Sequence, residues 1–214
     1  MSVILYSDRD LVVCVKPAGV LSQDAGESSM PGLLRAQLGT DYIAVVHRLD
    51  RDTGGVMVYA LTPKSAAILT HSVQEHRLEK QYLAVLRGIP AEKEATLEDL
   101  LFHDKTRNKT YAVARQRKGV KDAKLDYQLL ETCNGHSLVN VRLHTGRTHQ
   151  IRVQFASRKL PLIGDGKYGG KANGLPLCLW SWKLSFPHPI TGKIMTFEAL
   201  PPWEKEWKTW FTTA

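Results

Sequence analysis

The sequence predicts an α+β protein: a mixed, largely antiparallel β-sheet with flanking helices. Three observations carry that expectation. Short runs rich in β-branched residues, bounded by turn residues, recur along all 214 positions, which is the pattern of strands. Helical periodicity is confined to a few stretches with clear start and stop signals. Helices and hairpins follow one another without the regular alternation that a parallel sheet would require.

The elements follow in order. Residues 3–6 and 11–16, joined by Ser7-Asp8-Arg9-Asp10, predict a hairpin that Pro17-Ala18-Gly19 stops. Residues 21–30, rich in Ser, Gly and Asp, read as a loop. A short helix follows over 31–38, with Pro31 at its first position and Gly39 closing it. Two apolar runs, 43–46 and 56–61, read as strands. Thr62 and Pro63 form a helix start, and the helix over 63–74 is expected to bury Ala66, Ala67, Leu69 and Val73. Strands are predicted over 79–86, 107–116, 124–131 and 136–143, the last pair turned by Asn134-Gly135. A helix over 148–158 and a glycine-rich loop over 160–170 come next, then strands over 177–186 and 193–199 around the turn His188-Pro189-Ile190-Thr191-Gly192. Trp203, Trp207 and Trp210 stand at helical spacing near the end and read as core packing. No repeat, low-complexity tract or linker interrupts the chain, so a single domain over 1–214 is expected.

Composition narrows the function. Hydrophobic content of 43% and charged content of 23% are ordinary for a globular chain. No run approaches the ~20 apolar residues of a membrane span, and the first residues lack signal-peptide character. A cytoplasmic protein without membrane contact is the expectation. Cys14, Cys133 and Cys178 are scattered and odd in number, which argues against a disulfide framework, a zinc knuckle or a cysteine nucleophile. The net charge is +8, and eight basic residues between Leu101 and Lys124 face only Asp104 and Asp122. Arg115, Arg117, Lys118 and Lys121 belong to this excess, which suits a polyanion.

Between the apolar runs at 43–46 and 56–61 lies His47-Arg48-Leu49-Asp50-Arg51-Asp52-Thr53-Gly54-Gly55. Charge crowded where strands end is a common setting for chemistry. With Glu79-Lys80-Gln81-Tyr82-Leu83-Ala84-Val85-Leu86-Arg87-Gly88 and Leu143-His144-Thr145-Gly146-Arg147-Thr148-His149-Gln150-Ile151-Arg152, it resembles the signature segments of RluA-type pseudouridine synthases, in the same order. Lys16-Pro17-Ala18-Gly19 resembles that family's first short motif, a structural turn. Gly54 departs from the pattern, which usually has Ser there.

The resemblance implies the pseudouridine synthase fold with a central active-site cleft, and isomerisation of uridine in ribosomal or transfer RNA without cofactor or metal. It implies Asp50 as nucleophile, Arg147 as its cationic partner and Tyr82 beside the target uracil. Arg48 would fill the space that the flipped base leaves, and Ile151 would form an apolar pocket wall. The chemistry agrees: an electron-poor sugar needs a carboxylate near it, and burial demands a cation to keep that carboxylate ionised. Asp52, His47 and His149 read as structural hydrogen-bonding groups. Arg115, Arg117 and Lys118 are expected to bind RNA. No small S4-type RNA-binding domain is seen ahead of the catalytic motifs, and a monomer is expected. Two rivals stay open: a non-catalytic RNA-binding module, and a metal-dependent phosphodiesterase using His47, Asp50, Asp52 and His149.

Overall fold

A computed structural model of the chain describes residues 3–169, 174–202 and 205–209. They divide into two compact units, Met1–Lys80 with Trp180–Pro201, and Gln81–Leu179 with Pro202–Ala214.

The first unit is a mixed sheet. β1 (Val3–Ser7) and β2 (Leu11–Lys16) form the expected hairpin, and β2 pairs antiparallel with β4 (Gly54–Ala60). The 43–46 run forms only a two-residue strand, β3 (Ala44–Val45), which pairs antiparallel with the end of β4. β10 (Leu179–Pro187) lies parallel to β4 at Trp180–Gly54 and Ser181–Gly55, and β11 (Ile194–Glu198) returns antiparallel beside it. Every residue of β4 is buried, so its uninterrupted apolar run marks a strand covered on both faces.

Two helices belong to this unit. Helix α1 (Met30–Leu38) is capped by Ser29 and closed by Gly39 in the left-handed region. Helix α2 (Pro63–Gln74) starts with a capping box in which Thr62 and Ser65 satisfy each other's backbone N–H groups. Ala67 is exposed, against expectation; Leu69 is fully buried, Ala66 and Val73 pack partly buried against the core, and Ser65 and Ser72 complete the stripe. The Ser65 hydroxyl donates to the Asp10 carbonyl at 2.6 Å and Ser72 to Ile68 at 3.1 Å. Satisfied hydroxyls can therefore line the core face, and apolarity alone overlooks them. The core gathers Leu11, Val13, Val56, Val58, Leu69, Leu184 and Phe186.

Asp8 in the β1–β2 turn accepts from His188 at 2.8 Å and from the Tyr6 hydroxyl at 2.9 Å. Burial would raise its carboxyl, but these bonds and the Asp10 and Leu11 N–H groups outweigh it and bring the group down to about 2. The pair ties the β10–β11 turn to the first hairpin.

The second unit is an antiparallel sheet in the order β5-β9-β8-β6-β7. Its strands are β5 (Glu79–Arg87, entering the unit at Gln81), β6 (Glu94–Asp104), β7 (Lys109–Val113), β8 (Val120–Cys133) and β9 (His136–Leu143). β6 is absent from the strands that the sequence predicts, because Glu94-Ala95-Thr96-Leu97-Glu98-Asp99 gives no clean alternation. β8 exceeds the predicted 124–131 at both ends: pairing with β6 extends it back to Val120, and pairing with β9 carries it on to Cys133. The β6 ladder brings the polar Lys121 and Asp122 into strand conformation. β7 is shorter than 107–116: Asp104 accepts from the N–H groups of Thr106 and Arg107 and turns the chain first.

Helix α3 (Gln150–Ser157) begins two residues later than expected, after His149 in the left-handed region. It packs Phe155 edge-on against Tyr127, with ring centroids 5.5 Å apart. Buried Arg152 forks onto Asp165 through Nε (2.7 Å) and Nη2 (2.8 Å), which anchors the loop after the helix. Trp207 is buried on a 3-10 turn, Lys205–Thr209. Trp203 and Trp210 lie outside the described residues. No described helix is long and apolar enough to cross a membrane.

Candidate active site

The segment from His47 to Thr53 spans the gap between β3 and β4. His47 is buried and its Nε2 accepts the Val58 N–H at 3.2 Å. Burial, and then the nearby Lys80 charge, lower its pKa well below the ordinary value, so it serves as a neutral backbone acceptor. The Leu49 carbonyl accepts from Ser22 at 2.8 Å, and the Thr53 N–H donates to the Asp50 carbonyl at 3.1 Å, closing a turn around Arg51 and Asp52. Asp50 is half-buried in that turn, whereas Arg48, Arg51 and Asp52 are exposed. Arg48 Nη1 donates to Gln23 Oε1 at 3.2 Å.

Lys16 fixes this loop from beneath. Its side chain is fully buried, and Nζ donates to the carbonyls of Pro17 (2.9 Å), Val20 (2.6 Å) and Arg51 (2.9 Å). Gly19 and Arg51 complete the clamp: the Gly19 N–H donates to the Arg51 carbonyl at 2.9 Å, and Arg51 Nε to the Gly19 carbonyl at 3.0 Å. Burial lowers Lys16 to about 8, with the charges of Asp52 and Asp50 opposing the shift. The ammonium therefore holds the loop by hydrogen bonds and gives its carboxylates a cation. Lys16→Met should remove three charge-assisted bonds and strand their acceptors, costing about 3 kcal/mol. A melting temperature roughly 10 °C lower is the expected reading. An unshifted melt would show that the ammonium is not what holds the loop.

In the second unit, Tyr82 is buried on β5 opposite Val141 of β9. Arg147 lies in the turn between β9 and α3. Its N–H donates to Gln150 Oε1 at 3.0 Å, which also accepts the Thr145 hydroxyl at 2.8 Å. Its Nε donates to the Asp122 carbonyl, at the start of β8, at 2.8 Å. Ile151 is buried in the first turn of α3. His149 Nδ1 is 2.9 Å from the Tyr168 hydroxyl, which also accepts the Thr110 N–H at 2.7 Å. Arg115, Arg117 and Lys118 are exposed on the loop leading into β8, and the Arg117 guanidinium carbon stacks 4.9 Å from the Phe102 ring centroid.

Within the first unit, then, Arg48 and Asp50 share one loop. Within the second, Arg147 stands just before α3 and Ile151 in its first turn, and the Asp122 carbonyl ties Arg147 to the strand that the basic loop feeds. Lys16 and Gln150, which hold the Asp50 and Arg147 loops by hydrogen bonds, are residues that sequence reasoning misses. The Lys16-Pro17-Ala18-Gly19 segment is visible but reads only as a turn, and Gln150 has no signal apart from its place three residues after Arg147. Among the described residues, no three His, Cys, Asp or Glu side chains converge as metal ligands would.

These motifs have counterparts in known proteins. A family model described as RNA pseudouridylate synthase matches residues 10–157. An uncharacterized RNA pseudouridine synthase of Aquifex aeolicus (strain VF5) is 32% identical over 221 residues, covering 93% of this chain and 69% of its own. Ribosomal large subunit pseudouridine synthase D of Haemophilus influenzae (strain ATCC 51907 / DSM 11121 / KW20 / Rd) is 31% identical, with 93% and 67% covered. Among solved structures, human RNA pseudouridylate synthase domain containing 1 superposes with a TM-score of 0.83 at 25% identity, covering 95% of this chain and 85% of that one. The chain belongs to the RNA pseudouridylate synthase family, isomerases that act on uridine in RNA. Its relatives named synthase D bear out the RluA-type resemblance of the motifs.

Proposed function

We propose that this enzyme converts uridines of structured RNA to pseudouridine with Asp50 as its nucleophile, and that ribosomal RNA is the substrate ahead of transfer RNA. The observation that carries the assignment is the double clamp on the Asp50 loop: Lys16 below it and the Thr53 turn around it hold the backbone that carries the half-buried Asp50. Preorganisation of that kind is what a carboxylate facing an electron-poor sugar requires. The name of the Haemophilus relative favours ribosomal RNA.

The Asp50 carboxylate bonds to C1′ as the N1–C1′ bond breaks and its electron pair stays on N1; the uracil turns; C5 bonds to C1′ and displaces the carboxylate; and the C5 proton is lost while N1 takes one up. Arg147 supplies the cation that keeps the carboxylate ionised. Tyr82 stacks on the base, Ile151 walls the pocket, and Arg48 fills the space left by the flipped nucleotide, whose extrusion costs a few kcal/mol. Arg115, Arg117 and Lys118 bind phosphates. The enzyme acts as a monomer.

Loss of the C5 proton makes the reaction measurable. Tritium release from C5-labelled uridine is expected from ribosomal RNA lacking the modification, and not from transfer RNA, without added metal or nucleotide. Release from transfer RNA alone would overturn the substrate assignment.

A further inference from the structure

We propose that Trp180 is a positioning residue of the active site, its indole ring standing in for a side chain at position 54 and setting the strand end from which the Asp50 loop departs. The inference rests on Asp50 being the nucleophile and adds the part that aims it.

The two glycines after Thr53 differ in what requires them. Gly55 has φ +124, and a Cβ there would meet the backbone of Ser181, so glycine is obligatory on both counts. Gly54 is not among the glycines with positive φ, and its backbone would accept any L-residue. Only space excludes one. A Cβ at position 54 would overlap Trp180 Cζ3 and lie 2.7 Å from Cε3, with the Lys16 carbonyl at 3.1 Å. The indole therefore occupies the volume that a side chain at 54 would take.

The ring is itself fixed. Trp180 pairs with Gly54 across the parallel β4–β10 contact, and its Nε1 donates to the Ala199 carbonyl at 2.8 Å. It is almost fully buried. Without the ring, β4 would open on two consecutive glycines directly after the Asp50 turn, and glycine is the residue that resists ordering most. With it, the loop is clamped from two sides, by Lys16 through hydrogen bonds and by Trp180 through contact. The Ser usual at position 54 in RluA-type sequences is then absent here because the indole has taken its place.

The test is a double-mutant cycle. Turnover is followed by tritium release from C5-labelled RNA of cells lacking the enzyme, which contains its target whichever RNA that is. Trp180→Leu should lower kcat about tenfold or more with KM within about threefold, because aim and not RNA binding is lost. Gly54→Ser alone should lower kcat by overpacking against the ring. In Trp180→Leu the same serine has room, and the double variant should recover to within about threefold of wild type. Effects that simply multiply, or a Trp180→Leu variant with normal kcat, would overturn the proposal. Should Trp180→Leu melt below the assay temperature, Trp180→Phe with Gly54→Ala asks the same question with a smaller cavity. An Asp50→Ala enzyme that still turns over would instead remove the nucleophile assignment, whatever the cycle shows.

Discussion

Asp50→Ala is expected to abolish pseudouridine formation, by about four orders of magnitude or more, while RNA affinity stays within about threefold of wild type. No other carboxylate of the loop can take over. The turn closed by Thr53 leaves Asp52 exposed, and movement of even an ångström in such a site costs about a hundredfold. Binding should survive because the substituted group contributes chemistry and not phosphate contacts. Tritium release measured beside filter retention of the same RNA separates the two. Normal turnover by the variant would end the mechanism proposed above, and loss of binding together with activity would move Asp50 from chemistry to substrate recognition.

Reversing Arg115, Arg117, Lys118 and Lys121 to Glu should weaken RNA binding by about two to three orders of magnitude at low salt. It should also flatten the dependence of log affinity on log salt by roughly three units, in proportion to the phosphates that are no longer neutralised. All four side chains are exposed, so the fold should tolerate the change. Only the stacking of Arg117 on Phe102 disappears with it, an effect of about 1 kcal/mol or less. Catalysis on saturating RNA should be retained, since Arg147 is held by the backbone carbonyl of Asp122 and not by any of the reversed side chains. An unchanged salt slope would show that this loop does not reach the RNA.

Both outcomes concern features that are legible in the sequence, and the reason is local. The Asp50 segment declares itself because five chargeable groups and two glycines stand between apolar runs, a contrast that needs no tertiary information. The first hairpin, both helix starts and the Asn134-Gly135 turn are equally local, each decided by residues within a few positions of one another. Long-range pairing is not. β6 has no clean alternation of its own, and it is a strand because β8 on one side and β7 on the other satisfy its backbone. The buried stripe of α2 likewise includes Ser65 and Ser72, whose hydroxyls are acceptable inside only because particular carbonyls receive them.

The sequence by itself determined the α+β class, the family, the order of the motifs and the identity of the candidate nucleophile, because each is written in short segments and their spacing. Tertiary structure alone decided what holds that nucleophile. The buried ammonium of Lys16 reaches the carbonyl of Arg51 across 35 positions of chain, and the indole of Trp180 fills the volume beside Gly54 from the far end of the sequence. Contacts of that separation leave no periodicity to read. They exist only once the sheet has brought β2, β4 and β10 side by side.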